Sequence, residues 1–348
     1  MTRTKIADVA QAAGVSVATV SLVLNAAPAR ISPETRRRVQ EAAERLDYRP
    51  NATARGLRMR KTKTIGVISD VISSTPFAGR MIAGVQDVAR EHGYLVFLAD
   101  TNGDPATEAS AIMAYADQQV EAMIYACMWH QVVAPPRGLP PGTVFLDCRP
   151  VDGAYPAVVP DDKTGGRTAT EELIAAGHTR IAYVNDEAGV VAADLRLAGY
   201  REAMAAAGLA VDPTWLVLTE VSAQGGCRAV ETLMALPEDR RPTGVFFFND
   251  RQATGAYLAA HKLGLRLPDD LSIVGYDDQQ FVAAEQDPPL TTVALPHYEM
   301  GRWAMEQALG VGAATTSPDN TYLMPCPLRR RASVGPPPTR PGRRRSVR

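Results

Sequence analysis

The chain has 348 residues, of which 46% are hydrophobic and 22% are charged. Because this length exceeds what one hydrophobic core usually organises, we expect one small domain and one larger, two-lobed domain. The four cysteines form no CxxC pair, which argues against a disulfide framework and a zinc site. The sequence also lacks a signal peptide and an apolar run of about 18 residues that could span a membrane. We therefore expect a cytoplasmic protein without a metal ion.

The net charge of −1 conceals segments of opposite sign. Residues 1–63 contain 13 Lys and Arg against 5 Asp and Glu, and residues 329–348 contain eight Arg and no acid. The segment between them contains 16 basic and 33 acidic residues. A basic N-terminal segment on an acidic body indicates a module that binds a polyanion, joined to a body that does not.

The first 49 residues predict three short helices. Thr4 can cap the first helix, Gly14 allows a tight turn, and Ser16 can cap a second helix over Val17–Leu24. Ser32-Pro33 is a typical start for the third helix. Two helices joined by a sharp turn form a helix-turn-helix. The pattern alone fits a small helical bundle equally well, but its basic charge and terminal position favour DNA binding.

Two segments, TKIADVAQAAGVSVATVSLVLN and ISPETRRRVQEAAERLDYRPNATARGLR, resemble the head of the lactose-repressor (LacI/GalR) family. The resemblance implies that Val17–Leu24 is the recognition helix, with Val17, Ala18 and Leu22 at the base-reading positions. The family commonly has a polar or cationic residue where Leu22 stands. Three apolar side chains can contact thymine methyl groups but cannot form bidentate hydrogen bonds, so base discrimination would rely more on Ser16, Thr19 and DNA shape. The alternative is that Leu22 is a core residue.

Residues 50–63 are basic and too short to form a stable helix alone, which by itself indicates a flexible linker. The resemblance instead implies a hinge helix that folds on DNA beside its dimer mate. Leu57 would then enter the minor groove, and Arg55 would contact phosphates. The DNA-binding residues that we predict are Thr4, Ser16, Val17, Ala18, Thr19, Ser21, Leu22, Asn25, Arg55 and Leu57.

From Thr64 onward, short apolar runs alternate with amphipathic helical stretches, which predicts an α/β body of parallel sheets with helices on both faces. The predicted strands are 64–69, 95–99, 122–125, 144–146, 181–184, 216–218, 244–248 and 272–276. The predicted helices are 80–92, 107–118, 192–207, 225–234, 251–263 and 300–309. We expect two doubly wound sheets with a break near Pro160. Residues 291–293 would form the last crossover, and the final helix would pack on the first lobe.

Ligands of such folds bind beyond the carboxyl ends of the strands. Acids and arginines follow several predicted strands, which suits a polar ligand held by charge-assisted hydrogen bonds. Each acid has a structural alternative, since Asp161 and Asp250 can cap helices and Asp278 can lie in a turn.

DLRLAGYREAM, FFFND and LPDDLSIVGYDD extend the family resemblance over nearly the whole chain. It implies a periplasmic-binding-protein-like body in which Arg196 and Asp277 bind ligand hydroxyl groups. The ligand-binding residues that we predict are Phe77, Asp147, Asp161, Arg196, Val221, Asn249 and Asp277. Val221 and Ala78 stand where many sugar-binding members have aromatic residues, so the effector is left open between a sugar and another polar metabolite. Trp129 can compensate, or it can be a surface or dimer residue.

The sequence contains no GxGxxG after the first strand, no P-loop lysine and no GxSxG elbow, so we expect neither an enzyme nor a cofactor. A solute-binding protein of similar architecture would lack the basic head. We predict a helix-turn-helix domain (1–49), a hinge (50–63), a bilobed effector-binding and dimerisation domain (64–332) and a disordered basic tail (333–348). The predicted function is that of a repressor that binds a pseudo-palindromic operator as a homodimer under allosteric control by a small polar effector.

Overall fold

A computed structural model describes residues 4–24, 30–48, 62–72, 79–312, 317 and 319–338. The chain divides into two compact units, Met1–Lys63 and Thr64–Arg348. Four predicted site residues lie outside the described residues, namely Asn25, Arg55, Leu57 and Phe77. Most of the hinge and residues 339–348 also lie outside them.

The described residues of the first unit form three helices, α1 (Ile6–Ala13), α2 (Val17–Leu24) and α3 (Pro33–Arg45). Gly14 ends α1 with φ of 63°, a left-handed conformation that glycine adopts at little cost. The axis turns by 101° between α1 and α2. The core of this unit is formed by Val9, Ala10, Ala13, Val20, Val23, Val39, Ala42 and Ala43. Two helices joined by a sharp turn and packed on a third therefore form the helix-turn-helix that the sequence predicts.

The prediction that Thr4 caps α1 is wrong. Lys5 occupies the N-cap position, and its backbone N–H donates to Asp8 Oδ2 at 2.7 Å. The Thr4 hydroxyl instead donates to the Leu46 carbonyl at 3.1 Å. This carbonyl lies at the end of α3, where it has no partner within the helix. The Thr4 hydrogen bond therefore connects the start of α1 to the end of α3.

The second unit contains two six-stranded sheets. The strands of the first sheet are β1 (Thr64–Ser69), β2 (Leu95–Asp100), β3 (Ala122–Val133), β4 (Val144–Pro150), β5 (Ala157–Pro160) and β11 (Thr321–Met324). Those of the second are β6 (Ile181–Asp186), β7 (Leu216–Thr219), β8 (Gly244–Phe247), β9 (Ser272–Asp277), β10 (Thr291–Ala294) and β12 (Leu328–Arg329). Their orders are β11-β5-β4-β3-β1-β2 and β12-β10-β9-β8-β6-β7. All pairings are parallel except that of β10 with β12.

Seven helices accompany the sheets in the part of this unit that the structure describes. They are α4 (Gly79–Glu91), α5 (Pro105–Asp117), α6 (Asp162–Ala175), α7 (Val191–Ala206), α8 (Ala223–Met234), α9 (Asp250–Leu263) and α10 (His297–Ala308). Short 3-10 turns cover Pro213–Trp215 and Glu238–Arg240. Among the described residues, no single helix is long and apolar enough to span a membrane, although α1 and α2 reach that length and composition as a bent pair.

The chain crosses between the two sheets three times. It leaves the first sheet after Pro160, as predicted, and returns to it through α10, which packs on α4. A Cβ on Gly84 would lie 2.1 Å from the Tyr298 carbonyl oxygen, so only glycine allows this close helix crossing. The predicted crossover at residues 291–293 is wrong, because these residues form the buried strand β10. The last crossing lies between β11 and β12.

Residues 333–338 are packed, so the prediction of a disordered tail from residue 333 is wrong for this segment. The fully buried Ser333 hydroxyl donates to the Ile273 carbonyl at 2.7 Å and accepts from the Thr291 N–H at 2.8 Å. Gly335 N–H donates to the Ser272 hydroxyl at 3.0 Å. The segment therefore satisfies polar groups of the second sheet, which its Pro- and Arg-rich composition does not reveal.

Candidate functional site

The second helix of the head exposes a short apolar surface. The side chains of Val17 and Leu22 are 45% and 39% exposed, and Ala18 lies beside them on the outside. Val20 and Val23 supply the inward face of the same helix. Leu22 is therefore not a core residue, and this alternative is wrong.

Hydroxyl groups flank the apolar surface. Ser16 is exposed, and its Oγ accepts from the Thr19 N–H at 3.1 Å, which caps α2 as the sequence predicted. The hydroxyls of Ser16 and Thr19 also share a hydrogen bond of 2.9 Å. Thr19 and Ser21 are half-buried. This face of α2 therefore offers methyl groups at its centre and hydroxyl oxygens at its edge.

In the second unit, the carboxyl ends of strands from both sheets enclose a small cavity. Four of the seven predicted ligand-binding residues line it, namely Asp147, Arg196, Asn249 and Asp277. The cavity volume is about 20 Å³, which is room for roughly one water molecule. A larger cavity of about 520 Å³ adjoins it, and Asp277, Leu295 and His297 line both. The larger volume lies in the range of small-molecule sites.

Arg196 is the centre of the smaller cavity and is almost fully buried. Its Nε donates to Asp162 Oδ1 at 2.8 Å, and its Nη1 donates to the Phe248 carbonyl at 2.6 Å. The guanidinium carbon lies 3.6 Å from the centroid of the Tyr276 ring, so the planar group is stacked as well as paired. Burial acts to lower the pKa of Arg196, but Asp162 raises it above the usual range. The cavity therefore contains a fixed positive charge.

Asp162, which the sequence analysis overlooked, is the main partner of this charge. It is buried at the start of α6 and accepts hydrogen bonds from Arg196 and, at 2.8 Å, from His130 Nδ1. Its neighbour Asp161, the predicted ligand residue, instead caps α6 by accepting from the Thr164 N–H at 3.1 Å. The sequence signal for Asp162 is that two consecutive acids follow a buried strand. Only one of the two can cap the helix, so the other is free for a different role.

Asp147 and Asp277 bring two further carboxyl groups into the cavity. Asp147 Oδ1 is buried and has no hydrogen-bond partner among the described residues, and Asp147 Oδ2 lies 3.8 Å from His297 Nε2. Burial and the neighbouring Asp162 raise the pKa of Asp147 well above its usual range. Burial raises the pKa of Asp277 to about 6, although Arg196 opposes this shift. Both carboxyl groups therefore favour the protonated form more than an exposed carboxyl does, and both face the cavity.

The remaining candidates have structural roles. Asn249 caps α9 by accepting from the Gln252 N–H at 2.9 Å, although it also lines the cavity. Asp250 is buried and accepts from the Thr292 hydroxyl at 2.6 Å, so it joins α9 to β10 instead of capping the helix. Val221 does not line the cavity but packs with Phe248, which does.

Sequence comparison identifies the family to which this chain belongs. Residues 5–51 match the family described as bacterial regulatory proteins, lacI family, and residues 170–334 match a periplasmic binding protein-like domain. The chain is 35% identical over 305 residues to the ribose operon repressor of Escherichia coli K12, covering 86% of this chain and 90% of that protein. This chain belongs to the LacI family. It is also 33% identical over 306 residues to the HTH-type transcriptional repressor PurR of Aliivibrio fischeri, covering 86% of this chain and 89% of the relative.

Solved structures agree with this LacI-family assignment. The Lac repressor dimer bound to operator and the anti-inducer ONPF has a TM-score of 0.76 at 27% identity, covering 96% of this chain and 100% of that one. The complex of the regulator CelR with cellobiose has a TM-score of 0.59 at 28% identity, covering 95% and 100%. The predicted family, fold class and function as a DNA-binding transcriptional regulator are thereby confirmed.

Proposed function

We propose that this LacI-family regulator is a repressor that binds a pseudo-palindromic operator as a homodimer, and that a small polar effector in the cleft controls its operator affinity. The observation that carries the proposal is the buried cluster of Arg196, Asp147 and Asp277 in a cavity between two sheets, in a chain that begins with a helix-turn-helix. Burying such a cluster costs folding free energy, and clusters of this kind are common at functional sites.

On the DNA side, α2 lies in the major groove with Val17, Ala18 and Leu22 over the base edges. Ser16, Thr19 and Ser21 contact phosphates or bases at the edge of this surface, and Thr4 supports the helix ends. The proposed contacts of Asn25, Arg55 and Leu57 rest on the family likeness. Chromosomal DNA as the target also implies that the protein works in the cytoplasm.

On the effector side, Asp277 accepts hydrogen bonds from the ligand, Arg196 donates to it, and Asp147 offers a carboxyl whose Oδ1 has no hydrogen-bond partner among the described residues. Asn249 assists at the edge, and Phe77 is proposed to pack on the ligand. Asp161 and Val221 act indirectly, by capping α6 and supporting Phe248. The site needs no cofactor and carries out no reaction, because binding and release of the effector are sufficient.

The edge of the first sheet supports a homodimer. The strand β2 is the outermost strand of its sheet, and it exposes Leu95, Phe97 and Leu98 by 67%, 40% and 40%. An apolar edge strand is normally covered, because uncovered edges promote aggregation. A dimer carries two heads, and two heads on a pseudo-palindromic operator would contact successive major grooves about 34–36 Å apart. Effector binding would then shift the lobes at the dimer interface. The coupling free energy between effector binding and operator binding would be about 1–3 kcal/mol.

In vitro selection from a random double-stranded DNA pool tests the proposal. We expect the protein to enrich a palindrome of about 14–20 base pairs with a deformable central step. A matched variant, Leu22→Arg, keeps the exposed position but changes the base-reading chemistry, so it should enrich a different half-site. Binding without any consensus, abolished uniformly by salt, would overturn the proposal because it would reflect only electrostatic attraction.

A further inference from the structure

Two arginines that line the larger cavity are not paired with an acid of the protein. Arg80 and Arg251 both line the cavity of about 520 Å³, and both residues are exposed there. Among the described residues, neither guanidinium has a hydrogen-bond or ion-pair partner. Arg196 differs from them, because it is buried and donates to Asp162. The N–H donors of Arg80 and Arg251 are therefore available to a ligand.

Most of the acids that line the same cavity are already engaged. Asp278 Oδ1 accepts from Arg331 Nη2 at 2.6 Å, and Asp277 Oδ2 accepts from Gln279 Nε2 at 3.0 Å. Glu299 is the remaining acid of the lining, and it has no partner in the part of the chain that the structure describes. Two unpaired guanidinium groups thus share the cavity with one unpaired carboxylate, so the unpaired groups carry a net positive charge.

The two arginines come from different lobes. Arg80 is the second residue of α4, which follows β1 of the first sheet, and Arg251 is the second residue of α9, which follows β8 of the second sheet. The first turn of a helix has a positive potential, because the N–H ends of its peptide dipoles point there. Helices that follow parallel strands begin at the edge of the sheet where ligands bind. Positive charge therefore converges on the cavity from both lobes.

We propose that the effector carries a phosphate or carboxylate group, and that Arg80 and Arg251 bind this group between the two lobes. This inference rests on the proposed function, and it narrows the effector from a polar compound to an anionic one. Guanidinium groups bind both kinds of anion through parallel N–H···O hydrogen bonds. The uncharged polar part of the ligand reaches Asp277, which lines both cavities.

The placement of the two charges gives the anion an effect on the lobes. Without an anion, guanidinium groups of like charge from the two lobes face the same cavity and repel each other. An anion bound by both arginines replaces this repulsion with two attractions. It therefore favours the setting of the lobes in which Arg80 and Arg251 both reach it, which is the differential affinity that a ligand needs to shift a conformational equilibrium.

Binding should be measured by calorimetry with the full-length protein and compounds that differ only in charge. The panel contains ribose, ribose 5-phosphate and ribonate, then glucose, glucose 6-phosphate and gluconate, and finally pyrophosphate as an anion without a sugar. We expect an anionic compound to bind about tenfold or more tightly than its uncharged parent, and pyrophosphate to bind more weakly than that compound. Tighter binding of the phosphates identifies phosphate as the group, and tighter binding of the acids identifies carboxylate.

Two single variants test the arginines directly. Arg80→Gln and Arg251→Gln each remove one charge but keep a polar side chain, and each should weaken binding of the anionic compound about tenfold. Arg90→Gln is the matched control, because Arg90 lies in the last turn of α4 and pairs with Asp87. It removes the same charge from the same helix and should change the affinity by less than about twofold. Urea unfolding should show equal stability for all three variants, since surface substitutions of this kind change stability little.

Several results would overturn the inference. These are equal affinity for the anionic compounds and their uncharged parents, no binding of any anion including pyrophosphate, and equal weakening by Arg90→Gln. Weakening in only one of Arg80→Gln and Arg251→Gln would contradict an anion shared by the two lobes. DNA selection is independent of both arginines, so a selected operator combined with any of these results rejects the anion site while the repressor function stands. Failure of the DNA selection rejects the proposed function itself.

Discussion

Asp147 and Asp162 are buried in the same cavity, and their carboxyl pKa values move in opposite directions. Burial acts to raise the pKa of Asp162, but Arg196 and His130 hold it below its usual value. Burial and the charge of Asp162 raise the pKa of Asp147, whose Oδ2 lies 3.8 Å from His297 Nε2 and whose Oδ1 has no hydrogen-bond partner among the described residues. Compared with an exposed carboxyl, Asp162 therefore favours the ionised form and Asp147 favours the protonated form.

This difference predicts how stability depends on pH. The pKa of Asp147 is raised above its unfolded value of about 3.9, so its contribution is complete below about pH 4 and is lost as pH rises. Asp147→Asn cannot lose a proton. We expect the variant and the wild type to unfold at the same urea concentration near pH 4, and the variant to be more stable at pH 8. Asp117→Asn on the surface is the control, and a variant less stable at pH 8 would contradict the prediction.

Removing Arg196 should destabilise the body strongly. Arg196→Ala leaves the Asp162 carboxylate buried without its main counter-charge, which typically costs about 3–5 kcal/mol of unfolding free energy. Arg228→Ala is the matched control, because Arg228 pairs with Glu220 at the surface and should change stability very little. Urea unfolding followed by tryptophan fluorescence measures both. Similar losses in the two variants would show that Asp162 does not depend on Arg196.

The apolar face of α2 predicts a chemical test on the operator. Replacing a contacted thymine by uracil removes one methyl group and should weaken binding about fourfold, since a buried methylene contributes about 0.8 kcal/mol. In Leu22→Ala the uracil substitution under Leu22 should have no further effect. Fluorescence anisotropy with labelled operators measures both proteins. An equal loss in wild type and Leu22→Ala would mean that Leu22 does not read the methyl group.

The packed C-terminal segment predicts where the chain can be shortened. A chain that ends at residue 338 should be as stable as the full chain, because it retains the hydrogen bonds of Ser333 and Gly335. Ending at residue 331 leaves buried groups of the second sheet unpaired, and we expect a loss of about 2 kcal/mol or more. Thermal unfolding distinguishes the two. Equal stability of both chains would contradict the packing.

The central strands of both sheets were predictable because buried parallel strands are continuous apolar runs. The strand β3 was predicted too short, since Cys127 to Val133 includes a bulge that no local pattern announces. The helix α6 was missed because Gly165 and Gly166 weaken its helical pattern, although both allow close packing against Tyr276 and Arg196. The short strands β10, β11 and β12 depend on pairing with distant segments, which the local sequence does not encode.

Part of the candidate site was also predictable from the pattern of apolar strands. Arg196 and Asp277 follow strands that the apolar pattern identifies, and parallel sheets bring such ends together. His130 and Trp129 were not predicted as a pair because they reach the cavity only through the bulge. Asp162 was missed because its neighbour Asp161 has the same side chain, and only the turn into α6 decides which of the two points inward.

The most direct test of effector control is the operator affinity of this protein, measured with and without a small polar ligand that binds its cleft. We expect a saturating ligand to change the operator dissociation constant at least about fivefold in fluorescence anisotropy. The change should be absent in Asp277→Asn, which keeps the side-chain size but loses the carboxylate. A ligand that binds the wild-type cleft in calorimetry and leaves the operator dissociation constant unchanged would contradict the account.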